Sequence, residues 1–304
     1  MRNITTKQFQ LLSDSQMVWD LLVENYAENG VEAPFFEYAL TSSWLDKRYL
    51  YLDRLWLDKG KAVGFVFYEQ PCTDIYFSLS HGYETLAEEM IDYAEKYMPG
   101  NEKEKTFLFC PEQKVLMVAA EKRGYRQEFV IENYVIDFDA AELNYPLPEG
   151  FHFVEPDKVD PIKLAVCFWK GFDHEDKGPF ENWEAADPGT PWNPQKAYQG
   201  TISNVMAPPP HSTYEYNVII ANEKEEYVCF SGMWWVSKNK LAYMEPLCTI
   251  PEYRHKGLAA AALSAHYRRM KELGAVCMTG GGNEFYRRIG YNRKSMTYGW
   301  KKQE

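Results

Sequence analysis

The sequence predicts an α/β chain of two successive domains, and three observations predict it: length, a proline-marked connector and a repeated order of elements. At 304 residues the chain lies past the size at which a single hydrophobic core usually stops growing, so two cores are expected. The stretch 141–150, AELNYPLPEG, sets two prolines and a terminal glycine between strand-like segments. That composition marks a linker between a domain at 1–140 and another at 151–304. The halves then run through strands and helices in the same order at an offset of about 166 to 170 residues, with Gly64 matching Gly232 and Arg123-Gly124-Tyr125 matching Ile289-Gly290-Tyr291.

In the first half, Leu55 to Tyr68 reads as two strands around the Asp58 to Gly60 turn, and Asp74 to Leu79 as a third. Tyr83 to Tyr97 carries Leu86, Met90, Tyr93 and Tyr97 at helical spacing and stops before Pro99-Gly100. A strand at Thr106 to Cys110, a helix at Gln113 to Lys122 and a strand at Glu128 to Phe138 complete it. The second half opens with a strand at Phe151 to Val154 and a helix at Pro161 to Phe172, followed by an irregular Pro-, Gly- and Trp-rich region from Asp173 to Thr213. Strands follow at Tyr216 to Ala221, Tyr227 to Val236 and Leu241 to Thr249, then a long helix at Gly257 to Leu273 and a strand at Ala275 to Thr279. A short helix at Asn283 to Ile289 and a strand pair near Tyr291 to Trp300 end the chain.

Composition excludes several functions. A net charge of -11, from 33 basic and 44 acidic side chains, has the wrong sign for a phosphate-backbone binder, so no nucleic-acid partner is expected. The acid excess belongs to residues 1–150, net -12, and serves either as a solubilising surface or to steer cationic substrates. No apolar run reaches the roughly 20 residues of a membrane span, and the polar start shows no secretory leader. The six cysteines are scattered without a C-x-x-C pair and read as reduced core thiols of a cytoplasmic protein. The histidines form no ligand set, so no metal is expected.

The loop Pro251-Glu252-Tyr253-Arg254-His255-Lys256-Gly257-Leu258-Ala259 joins a strand to a helix with three basic or potentially basic side chains and a glycine. It reads either as a plain turn with solvated charges or as a phosphate cradle. Helix N-terminal amides and the helix dipole favour an anion, and Gly257 and Ala259 let one approach. The spacing Pro251-x-x-Arg254-x-x-Gly257-x-Ala259, followed by an alanine-rich helix and by FYRRIGY at 285–291, resembles the GNAT acetyltransferase superfamily.

This resemblance implies two tandem domains of that type, each a mixed, mostly antiparallel twisted sheet flanked by helices, with the first a degenerate copy lacking the loop. It implies acetyl-CoA as cosubstrate, its pyrophosphate at Arg254, His255, Lys256, Gly257, Leu258 and Ala259, and its pantetheine arm on the backbone of Leu247, Cys248 and Thr249. An amine of lysine type needs deprotonation before it can attack a thioester. Glu245 is the candidate base, or else a surface strand carboxylate, and Pro246 beside it disrupts pairing. Tyr286 lies where the family commonly protonates the leaving thiolate. Alternatively it packs in the core, although Phe285 and Ile289 are expected to share the buried face. Asn283 contacts the cosubstrate or caps its helix. Cys248 has no base beside it in sequence, and direct transfer needs no acyl-enzyme.

The acceptor pocket is expected among Phe168, Trp169, Phe172, Trp183, Trp192, Trp234 and Trp235, whose rings suit an amine-bearing small molecule or peptide. The function expected is N-acetyl transfer to a primary amine. The alternative is a non-catalytic acyl-CoA sensor or scaffold, and the first half leaves room for a homo-oligomer.

Overall fold

The computed structural model describes residues 3–42, 45–177, 180, 194–201 and 210–303. Its elements pack as two units: Met1–Leu40, Leu45–Glu132 and Ser295–Glu304 in one, Thr41–Trp44 and Asn133–Lys294 in the other. The chain leaves the first unit within one long strand and returns within its last. The stretch 141–150, expected as a connector between domains, falls within the span of the second unit.

The first unit begins with β1 (Ile4–Gln8), α1 (Leu11–Glu24) and α2 (Ala33–Thr41), a region to which the sequence reading gives no elements. It continues through β2 (Arg54–Asp58), β3 (Lys61–Tyr68), β4 (Asp74–Leu79), α3 (Ala87–Tyr97), β5 (Thr106–Phe109), α4 (Lys114–Lys122) and the start of β6 (Tyr125–Asp137). Lys59 and Gly60, both at positive φ, close the β2–β3 hairpin. Strands β1 to β4 pair antiparallel in succession, and β4 pairs parallel with β5, which requires α3 as a crossover. From Ala62 onward β3 is buried throughout, with α1 and α3 packed against it. The abundant rings fill this core: Trp56, Phe65, Phe67, Phe77, Phe107 and Phe109 are fully buried. On α3, Met90 and Tyr93 face inward as the spacing predicts, but Tyr97 is half exposed. Gly124, at φ 84°, ends α4 and turns Tyr125 inward, where it stacks on Phe107 with ring centroids 4.1 Å apart.

The second unit takes in the end of β6, then β7 (Phe151–Phe153), α5 (Pro161–Gly171), α6 (Pro194–Thr201), β8 (Val218–Asn222), β9 (Tyr227–Ser231), β10 (Trp234–Val236), β11 (Leu241–Tyr243) and β12 (Leu247–Thr249). It ends with α7 (Leu258–Glu272), β13 (Cys277–Thr279), α8 (Glu284–Ile289) and the start of β14 (Arg293–Lys302). The order β4–α3–β5–α4 of the first unit thus recurs as β12–α7–β13–α8. Each stretch expected as one strand at 227–236 and 241–249 is instead two strands in separate ladders. One ladder runs β6–β13–β11–β10, parallel only between β13 and β11, and the other is antiparallel throughout, β7–β8–β9–β12. The breaks face each other, at Gly232 and at the cis Glu245–Pro246 bond, where the Gly232 N–H donates to the Pro246 carbonyl at 2.9 Å. Proline cannot donate to a ladder, so pairing stops there.

Helix α7 spans both ladders: Leu258 and Ala262 pack with β9 and β12 side chains, while Leu263, Tyr267 and Met270 join Ile136, Ala242 and Met278. The stretch 141–150 fastens onto it. The Tyr145 N–H donates to Ser264 Oγ at 2.9 Å, the Tyr267 hydroxyl to the Ala141 carbonyl at 3.0 Å, and Leu143 is buried. Near the C-terminus one continuous strand, β14, replaces the expected pair. All six cysteines are free, five of them buried. No helix among the described residues is long and apolar enough to cross a membrane.

Candidate active site

Where the ladders of the second unit diverge, a cleft of about 540 Å³ opens between β12, the loop after it, the start of α7, and α8. Ten of the residues singled out from the sequence line it: Leu247, Cys248, Thr249, Arg254, His255, Gly257, Leu258, Ala259, Asn283 and Tyr286. Lys256 does not; its Nζ lies 4.5 Å from the centre of the Tyr253 ring. Glu245 lies outside the lining, in the break between β11 and β12 rather than within a strand.

The loop is built to expose amides. Pro251–Tyr253 form one tight turn, and His255 and Gly257 then take left-handed conformations at φ 62° and 85°. A Cβ on Gly257 would meet nothing nearer than Pro148 Cγ at 3.9 Å, so glycine is required there by conformation and not by crowding. No side chain caps α7, so its first-turn N–H groups are available at the cleft wall.

Arg254 does not project freely. Its Nε donates to the Thr249 carbonyl at 3.0 Å, and its Nη2 to the Gly171 carbonyl at 3.0 Å and to both Asp173 carboxylate oxygens at 2.9 Å. It ties the loop to the end of α5. Gly171 has no side chain because a Cβ there would lie 2.7 Å from Cys248 Sγ. Cys248 therefore turns toward α5, with its thiol 3.9 Å from the Cys167 carbonyl, and its neighbours are core groups rather than a base. Across the β12–β9 pair, Thr249 Oγ1 approaches Cys229 Sγ at 3.3 Å, and burial pushes the Cys229 thiol up to about 12.

The structure corrects the assignment of faces on α8. Tyr286 and Ile289 are its buried residues and Phe285 is half-buried. The cause lies in the glycines before the helix: a Cβ on Gly280 would lie 2.7 Å from the Tyr286 ring and one on Gly281 3.1 Å from it. The compressed Gly280-Gly281-Gly282 run is the slot that admits Tyr286. Burial, and secondarily the negative charge of Glu245, hold the Tyr286 phenol well above its ordinary range. Asn283 caps α8, its Oδ1 accepting the Phe285 N–H at 2.9 Å, and also lines the cleft.

Sequence reasoning missed Gly171, Tyr253, Glu284, Phe285 and Arg288 on the same walls. The signal for Arg288 was present in the basic pair of FYRRIGY. Among the expected acceptor-pocket rings, Trp169 is fully buried, Trp234 is buried, and Phe168 packs on Phe230 with centroids 4.7 Å apart. These are core contacts. Trp183 and Trp192 lie outside the described residues.

The first unit has a smaller cleft, about 350 Å³, at the ends of β4 and β5. Its own side chains satisfy the strand ends. Gln113 Nε2 donates to the Phe77 carbonyl at 2.5 Å while its Oε1 accepts the Cys110 N–H at 3.0 Å, and Asn25 bonds the hydroxyls of Ser78 and Ser80.

Residues 173–291 match the model of the Acetyltransferase (GNAT) family. Among solved structures, the chain is similar to a GCN5-related N-acetyltransferase from Sphaerobacter thermophilus, at 14% identity and a TM-score of 0.53, over 98% of this chain and 94% of that one. It is also similar to a tandem GNAT protein from the clavulanic acid biosynthesis pathway, at 10% identity and 0.56, over 98% of each chain. A third similar structure is L-PGS from Bacillus licheniformis, at 12% and 0.56, over 98% and 94%. At these identities the likeness is one of fold. A search of curated proteins finds no match.

Proposed function

We propose, from the premise that residues 173–291 form a GNAT acetyltransferase domain in a chain of tandem GNAT fold, that this protein transfers acetyl from acetyl-CoA to a primary amine by direct attack. The observation that carries the reading is the uncapped start of α7, with left-handed His255 and Gly257, on the wall of the cleft that holds Tyr286. That wall fits a pyrophosphate: the N–H groups of Gly257 to Ala260 would take it, aided by the helix dipole. Leu247 to Thr249 would hold the pantetheine arm through their backbone and polarise the thioester carbonyl.

Glu245 would accept the proton of the attacking ammonium, directly or through water, freeing the nitrogen lone pair for the carbonyl carbon. When the tetrahedral adduct collapses, the C–S bond breaks and the electron pair leaves on sulfur. Tyr286 would protonate that thiolate, and the second proton that the nitrogen sheds as the amide forms would pass through water to the phenolate and restore it; with its phenol held high, Tyr286 carries the proton needed at neutral pH. The first unit would bind no cosubstrate, because Gln113 occupies its strand-end backbone hydrogen bonds, Asn25 engages the Ser78 and Ser80 hydroxyls, and its β4–α3 connection lacks the basic loop. The acceptor would be a small-molecule or peptide amine, and the setting the cytoplasm.

Thiol release from acetyl-CoA across a panel of amines, beside calorimetric acetyl-CoA binding, tests this. Amine-dependent release that falls in Tyr286→Phe supports the transferase. Binding without release from any amine would leave the sensor reading.

A further inference from the structure

We infer that Arg288, rather than Arg254, supplies the side-chain charge that recognises a phosphate group of the cosubstrate, and that Arg254 is a positioning residue for the loop. This rests on the acyl-CoA reading above. Three cationic or potentially cationic side chains line the cleft: Arg254, His255 and Arg288. Arg254 faces both oxygens of Asp173 at 2.9 Å, so its charge is balanced, and its Nε and Nη2 also hold the Thr249 and Gly171 carbonyls. Removing it would release the loop from α5.

Arg288 stands differently. Its neighbour Arg287 donates through Nε to Glu284 at 2.6 Å, and Glu284 also accepts from the Tyr134 hydroxyl. Arg288 helps hold Glu284 ionised by its charge alone; among the described residues it makes no hydrogen bond or ion pair. It is an exposed guanidinium with five donors on α8, in the same cleft as the uncapped amides of α7. On the α8 wall the Glu284 carboxylate is engaged by Arg287 and Tyr134, whereas Arg288 and the α7 amides both offer donors to an anion, and the planar guanidinium suits two oxygens of one phosphate.

The experiment titrates the full chain with coenzyme A and with dephospho-coenzyme A at several salt concentrations, for wild type, Arg288→Ala, Arg288→Lys and Arg254→Ala. Loss of a charge-assisted hydrogen bond predicts about tenfold to hundredfold weaker coenzyme A binding in Arg288→Ala, with a shallower salt dependence and partial recovery in Arg288→Lys. Arg254→Ala should lower the melting temperature as well as affinity, whereas Arg288→Ala should leave it unchanged. A loss retained with dephospho-coenzyme A assigns Arg288 to the pyrophosphate, and a loss seen only with coenzyme A assigns it to the 3′-phosphate; either supports the inference. Wild-type affinity in Arg288→Ala, or weaker binding with unaltered salt dependence, overturns it. Failure of the wild type to bind coenzyme A instead refutes the acyl-CoA reading itself.

Discussion

The backbone of Gly232 crosses that of Glu245 so closely that a Cβ at position 232 would lie 2.1 Å from the Glu245 carbonyl oxygen. This crossing is where the ladders of the second unit part, and both partners there are backbone, so neither can swing aside. Gly232→Ala should destabilise the second unit by about 3 kcal/mol, the upper part of the range for overpacking. Urea denaturation measures it. A midpoint shift worth less than about 0.5 kcal/mol, within ordinary surface effects, would show that the crossing can open without loss.

That crossing also marks how far the sequence could be read. The loop at 251–259 was legible because proline and glycine punctuate it and its charges interrupt apolar surroundings. The splitting of 227–236 and 241–249 was not, since each is an unbroken apolar run and the break is decided by strand pairing across the sheet. The strand pair expected near Tyr291 to Trp300 is one strand, β14, and within it a Cβ on Gly299 would lie 2.2 Å from the Phe129 ring, a contact that the local sequence does not contain. The burial of Tyr286 depends on room left by Gly280 and Gly281, a contact that spacing on α8 alone does not contain. Arg254 lines the cleft, and its partner Asp173 lies 81 residues away in sequence, which no local spacing reveals.

The imidazole of His266 should make the second unit sensitive to acid. It is buried in α7 with Nε2 3.2 Å from the Ser231 carbonyl, and burial holds it down to about 4. An unfolded histidine titrates near 6.5, so below that value the unfolded chain binds the extra proton and gains. Stability should be unaffected above about pH 6.5 and fall toward pH 4 by roughly 3 kcal/mol, since each pH step between the folded and unfolded values costs about 1.4 kcal/mol. Denaturation midpoints from pH 4.5 to 7.5 check this, and His266→Gln should flatten the slope. A wild-type profile already flat over that range would refute it.

Asp53 predicts the opposite slope in the first unit. It is fully buried, neither carboxylate oxygen has a hydrogen-bond partner among the described residues, and burial raises it well above the ordinary carboxyl range, with the Tyr68 backbone N–H offsetting a part from beyond bonding reach. Its stabilising share is complete below about pH 4, where the unfolded carboxyl also carries its proton, and declines as pH rises toward the folded value. Asp53→Asn should therefore raise stability at pH 8, by on the order of 1–3 kcal/mol, and change it little at pH 4. Equal effects at both pH values would exclude titration as the cause.

Substitution of Gly257 separates conformation from charge at the α7 terminus. Gly257→Ala forces a non-glycine residue to φ 85° in open space, costing roughly 1–2 kcal/mol, and should weaken acetyl-CoA binding by about tenfold through the displaced amides. Gly257→Glu adds a carboxylate to the same wall and should weaken it further, most strongly at low salt. Calorimetry on both variants decides this, and wild-type affinity in Gly257→Glu would remove the phosphate from this terminus.

Both units place a cleft at the end of the strand that precedes the long helix, but in the first unit the Gln113 amide already joins Phe77 to Cys110, and Asn25 takes the hydroxyls of Ser78 and Ser80. Acetyl-CoA should thus bind with one equivalent per chain. Gln113→Ala leaves a buried carbonyl and an N–H without their partner, which should lower the stability of the first unit by about 1–3 kcal/mol. Affinity at the second-unit cleft should not change. Two equivalents in the wild type would mean that the first cleft also binds, and acetyl-CoA affinity that falls in Gln113→Ala would refute the independence of the second-unit cleft.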